Sequence, residues 1–159
     1  MTLYIRDESG SFSAATSDQI VSEALTVTAA EIESTDLMTN PVAVKNFLAV
    51  RMANLEYEVF AVMFLTNRHQ VIKFDVMFRG TIDGASVYPR EVAKAALQYN
   101  AAAVVIAHNH PSGITQPSQA DELITRKLRD ALSMFDIRVL DHVIVGGKNS
   151  FSFAEHGLL

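Results

Sequence analysis

Six consecutive apolar residues, Ala102 to Ala107, run without a break into His108-Asn109-His110-Pro111-Ser112-Gly113. A short run with no polar alternation fits a strand buried on both faces, which needs helices above and below its sheet. Pro111, Gly113 and Pro117 then stop either regular element from continuing. A long helix is expected to follow, from Ser118 to about Phe135. The chain should therefore hold two histidines where a buried sheet gives way to a loop.

The rest of the sequence supplies the layers around that strand. Asn40 can cap a helix with Pro41 at its first position, and Val44, Phe47, Leu48 and Met52 recur at helical spacing. Tyr57 to Leu65 is dense in Val and Phe and reads as a strand. Thr66-Asn67-Arg68-His69 is turn-like and Val71 to Phe78 reads as the second arm of a hairpin. Gly80 to Val87 reads as a loop, and Pro89 opens a helix with Val92, Ala95, Ala96 and Tyr99 along one stripe. Ile137 to Val145 is a further strand, Gly146-Gly147-Lys148-Asn149 a turn, and Ser150 to Phe153 a short closing strand. The expected fold class is α/β (α+β), a mixed β-sheet flanked by helices. Residues 1–36, rich in Ser, Thr, Asp and Glu, read as a weakly structured N-terminal arm with one short helix near Ile20, Val21, Ala24 and Leu25. The domain proper is expected over 37–159.

Composition removes several classes of function. The chain of 159 residues suits one domain with a substantial core. It has no cysteine, so any metal must be held by nitrogen and oxygen. A zinc deaminase of the nucleobase type, which needs a Cys-x-x-Cys pair, is excluded. The net charge of −5 argues against a broad DNA-binding surface, and Arg126, Lys127 and Arg129 read as a solvated helix face. MTLYIRDESG has no basic region followed by an apolar stretch, and the longest apolar run, Val59 to Leu65, is too short to span a bilayer. A soluble, cytoplasmic protein with no membrane partner is expected; the sequence specifies no oligomeric state.

Chemistry concentrates in the segment after Ala107. Histidines at i and i+2 on an extended chain project to the same side, and Asp121 returns a carboxylate from the first turn of the next helix. Two imidazoles and one carboxylate form an open zinc set, with a position left for water. Ser118-x-x-Asp121 also reads as a helix capping box, and both readings can hold together. Upstream, Glu58 stands at the mouth of an apolar strand, where a carboxylate is either partnered or at an exposed strand end. Glu56 shares its strand parity, so alternation alone does not separate them. His69 and His156 read as surface residues. His142 reads as a core residue, with a supporting place behind the site as the alternative.

The spacing as a whole carries more than any of its parts. Glu58, then His108-x-His110-Pro111, then Ser118-x-x-Asp121 with seven residues between the second histidine and the serine, resembles the JAMM motif of the MPN-domain metalloproteases. The wording Phe78-Arg79-Gly80-Thr81-Ile82-Asp83, Val87-Tyr88-Pro89-Arg90-Glu91, Ala107-His108-Asn109-His110-Pro111-Ser112-Gly113 and Asp141-His142-Val143-Ile144-Val145-Gly146 is similar to the bacterial RadC family, over about residues 37 to 159. The resemblance implies an MPN/JAB architecture of the cytidine-deaminase-like kind. It implies one Zn2+ per chain on His108, His110 and Asp121, with Glu58 as general base and Ser118 as oxyanion donor. The implied activity is hydrolysis of an amide in a peptide or protein substrate. Longer RadC proteins carry a helix-hairpin-helix-like region before this domain, and the arm is too short to supply one. The chain thus resembles a short, stand-alone form, for which DNA binding is expected to be weak or absent. A DNA-associated repair or recombination factor, with hydrolysis secondary, is the alternative that the family name implies.

Overall fold

The computed structural model describes residues 2–6, 9–33, 40–80 and 86–159. Near the N-terminus, β1 (Tyr4–Arg6) and β2 (Phe12–Ala14) form a two-stranded antiparallel sheet, followed by α1 (Ser17–Glu33) and α2 (Pro41–Met52). Next come β3 (Val59–Leu65), β4 (Val71–Arg79), α3 (Pro89–Gln98), β5 (Ala103–Asn109), α4 (Gln119–Ser133), β6 (Arg138–Gly146) and β7 (Asn149–Ser152). The main sheet has five strands in the order β4-β3-β5-β6-β7. Only the β5–β6 pair in it is parallel, which makes the sheet mixed.

Strand alternation sorts the core into two layers. Odd-numbered residues of β3 and β5 (Val59, Ala61, Met63, Leu65, Ala103, Val105, Ala107) meet Ala43, Val44, Phe47, Leu48 and Met52 of α2. Even-numbered ones (Phe60, Val62, Phe64, Val104, Ile106) meet Val92, Ala93 and Ala96 of α3 and Leu128 and Leu132 of α4. With helices on both faces, every residue of β3 and of β5 is buried. Continuous apolar sequence is what such strands need, and each large side chain so covered contributes about 1.5–3 kcal/mol.

The α2 helix starts as its sequence predicts. Asn40 Oδ1 accepts from Ala43 N–H at 3.0 Å, and Pro41 occupies the first turn. The turn between β3 and β4 places His69 at φ 58, and Thr66 N–H closes on Gln70 O at 2.9 Å. Two expectations need correction. The short helix expected in the N-terminal arm is 17 residues long, and Ala29 on it packs against the α2 side of the core. Strand β5 does not stop at Ala107 but carries His108 and Asn109 in its ladder. The arm boundary expected at residues 36 and 37, and most of the loop expected at 80–87, lie outside the described residues.

Candidate metal centre

The parity that builds the core also places the site. His108 continues the even-numbered face of β5, on the side covered by α4, and lies opposite Phe60 of β3. Glu58, just before β3, and His110, just after β5, line the same cleft as Phe60 and His108. Asn109 points the other way, and its amide grips the chain ahead of β3. Its Oδ1 accepts from Val59 N–H at 2.8 Å and its Nδ2 donates to Tyr57 O at 3.0 Å. The two backbone groups flanking Glu58 are therefore held by the residue between the two histidines.

Beyond β5 the chain turns at Pro111 and Gly113 and stays on the end of β6. His110 N–H donates to Val145 O at 2.8 Å, and His110 Nδ1 donates to Ile114 O at 2.6 Å. A carbonyl only accepts, so Nδ1 carries a proton and Nε2 is the nitrogen left free to face a metal ion. Gly146 makes this packing possible, since a Cβ there would lie 2.6 Å from Gly113 O.

Ser118 then caps α4 with a complete capping box. Asp121 Oδ2 accepts from Ser118 N–H at 2.7 Å and from Ser118 Oγ at 2.7 Å, while Ser118 Oγ accepts from Asp121 N–H at 3.2 Å. The box holds Asp121 by Oδ2, which lies 3.8 Å from His110 Nε2, and leaves Oδ1 turned to His108. Oδ1 lies 3.2 Å from His108 Nε2, and the Nε2 atoms of His108 and His110 are 2.9 Å apart. His108, His110 and Asp121 thus offer ligand atoms within 4.8 Å of one another, the group among the described residues suited to a metal ion. Two imidazoles and a carboxylate oxygen, with the outer nitrogen of His110 already committed, match the donor chemistry of an open zinc site.

Burial pushes the Asp121 carboxyl up, but the adjacent His108 ring and the Ser118 donors outweigh it and hold it well below the usual carboxylate range. Any positive charge at this point, whether a proton on His108 or a metal ion, favours the carboxylate in this way. Behind His108 lies His142 of β6, fully buried, its Nε2 2.8 Å from His108 Nδ1 and its Nδ1 2.6 Å from Thr125 Oγ1. Burial pushes the His142 imidazole well below its ordinary value, and His108 adds to that.

A cleft of about 370 Å3 opens over the group, lined among others by Glu58, Phe60, His108, His110, Ser118 and Asp121. All five residues singled out in the sequence meet at this cleft. Glu56 is exposed and lines the adjoining one, which Glu58 and His110 share. His142 combines both roles open to it, a core residue in direct contact with His108. Sequence reasoning gave no part in the site to Asn109, Thr125 or Gly146. Asn109 had a signal in its parity, an amide directed away from the paired histidines; nothing local marked the other two.

The sequence model of the RadC-like JAB domain matches residues 38–158. Among curated proteins, a UPF0758 protein of Thioalkalivibrio sulfidiphilus is 60% identical over 124 residues, covering 78% of this chain and 55% of its own length. One from Nitrosococcus oceani is 57% identical over 124 residues with the same coverage. A UPF0758 protein of Vibrio cholerae is 63% identical over 113 residues, 71% of each chain. The chain spans about half the length of the first two, 55% in each case. With a five-stranded mixed sheet between helices, and this extent of sequence match, the chain belongs to the RadC-like JAB domain family.

Proposed function

We propose that the chain is a zinc-dependent amide hydrolase of the metallopeptidase or isopeptidase kind, acting on a peptide or protein substrate. The observation that carries this reading is the convergence of His108, His110 and Asp121 at a cleft that also holds Glu58 and Ser118. Membership of a JAB family and the full JAMM spacing support it. Zinc fits better than a hard cation because two of the three donors are imidazoles.

Zinc in such a set supplies Lewis acidity and lowers the pKa of a water to about 7. The protein's own groups do the rest. Glu58, half-buried beside the ligands, accepts a proton from the attacking water and returns it to the leaving amine. Ser118 is exposed at the cleft, and its hydroxyl can turn from Asp121 Oδ2 toward the carbonyl oxygen as charge develops there. Asp121 then keeps the Ser118 backbone N–H, so the capping contact survives the change of partner.

Metal analysis paired with a peptide-library cleavage screen tests the reading. Zinc-loaded protein dialysed at pH 7.5 should retain about one zinc per chain, with His110→Ala losing it, and cleavage should require Glu58. Equal zinc retention by wild type and His110→Ala would overturn the proposal.

A further inference from the structure

His142 and Thr125 take no part in the chemistry above, yet both are buried and both are bonded to the ligand set. Thr125 Oγ1 lies 2.6 Å from Asp121 O. Two oxygens that close need a proton between them, and a carbonyl has none to give. The hydroxyl proton of Thr125 is therefore spent on Asp121 O, and Oγ1 can only accept from His142 Nδ1–H. The His142 ring is fully buried and its two nitrogens meet Thr125 Oγ1 and His108 Nδ1, neither an anion that would hold a second proton there, so with Nδ1–H given to Thr125 its Nε2 is bare and accepts from His108 Nδ1–H at 2.8 Å. With Nδ1–H committed to His142, Nε2 is the His108 nitrogen left to face His110 Nε2 and Asp121 Oδ1, and it is the one whose lone pair a metal ion would take in place of a proton.

We infer that Thr125 and His142 form a relay of hydrogen bonds that fixes the tautomer of His108 and so presents its Nε2 lone pair to the ion. They are positioning residues, and the inference rests on the metal reading above. The relay begins and ends on Asp121: its backbone carbonyl orders the proton chain, and its carboxylate is the third ligand. One residue thus couples the helix start to the histidine across the sheet. His142 also packs, stacked on Phe153 at 4.7 Å and edge-on to Phe60 at 5.8 Å, so a test must separate packing from tautomer control.

His142→Phe keeps the aromatic volume and removes both ring nitrogens. Zinc affinity, measured by chelator competition at pH 7.5, should fall about 10- to 100-fold, the usual effect of losing a partner behind a metal-bound histidine. His142→Gln, whose amide offers one acceptor and one donor, should recover part of that loss, and Thr125→Val should lower affinity in the same direction. Long-range 1H–15N spectra of metal-free protein should show His108 protonated at Nδ1 in wild type and a mixture of tautomers in Thr125→Val. Thr125→Val changes little volume, so it reads the relay even if His142→Phe fails to fold. Folded His142→Phe or Thr125→Val binding zinc as wild type does, with the His108 tautomer unchanged, would overturn the relay alone. Absence of zinc binding by wild type would instead overturn the metal reading and the relay with it.

Discussion

Glu58 and Glu56 share a strand parity but differ in depth, since Glu58 lines the ligand cleft and Glu56 is exposed beside the adjoining one. Glu58→Gln is expected to keep zinc and the fold while lowering turnover by about 10²- to 10⁴-fold, or roughly 3–5 kcal/mol of barrier. Single-turnover kinetics on zinc-verified protein checks this; undiminished turnover would move the base to Glu56. A second residue-scale prediction concerns Asp141, whose carboxyl burial holds above its ordinary range despite hydrogen bonds from Ser152 Oγ at 2.6 Å, Ala154 N–H at 2.9 Å and His142 N–H at 2.7 Å. The folded chain binds this proton more tightly than the unfolded one. Its contribution therefore favours the fold in acid and is lost as pH rises from the unfolded value of about 3.9 through the folded one. Asp141→Asn keeps an acceptor without the charge, so its stability relative to wild type should rise between about pH 4 and pH 7. Urea denaturation at both pH values reads the difference directly, and a constant difference would remove this account. The three residues of the candidate metal group were legible in sequence because His-x-His and Ser-x-x-Asp are local patterns. The His108–His142 contact was not, since it depends on the register of β5 against β6.

At the scale of elements, the site depends on how β5 ends and α4 begins. Sequence reading ended the strand at Ala107 because polar residues start there. The ladder continues because His108 and Asn109 find partners inside, in His142 and in the backbone ahead of β3. The N-terminal helix was underestimated for the opposite reason, since weak composition hid a good start. Gln19 N–H donates to Thr16 Oγ1 at 3.2 Å and Thr16 N–H to Gln19 Oε1 at 2.9 Å, a capping box present in the sequence as Thr16-x-x-Gln19. Ser118→Ala removes the equivalent cap from α4 and should lower stability by about 1 kcal/mol, seen as a shift in the urea midpoint. Gly146→Ala tests the seating of the His110 loop. Its new Cβ meets backbone at Gly113, which cannot rotate away as a side chain would. Overpacking of this kind is expected to destabilise by about 1–3 kcal/mol and to weaken zinc retention by displacing His110, measured on the same samples.

Across the whole molecule, acidic residues outnumber basic ones by 18 to 13, and among the described residues no helix is long and apolar enough to cross a membrane. Net charge −5 leads us to expect weak DNA binding that falls steeply as salt rises; tight binding to branched or single-stranded DNA at physiological salt would favour the repair reading instead. The layered fold was legible at this scale because β3 and β5 are continuously apolar, whereas strand order was not, because the crossover from β5 through α4 to β6 leaves no local trace. The parallel pairing of β5 with β6 has a consequence for the order of events in synthesis. All three ligands precede residue 122, yet the loop carrying His110 hangs from Val145 O. A chain still emerging from the ribosome can thus expose its ligands without holding them, and a version ending at residue 136 should bind zinc no better than the unfolded protein. On the zinc reading proposed above, the finished chain is what captures the ion, and at 100 times its Kd the ion would deepen the folded state by about 2.7 kcal/mol.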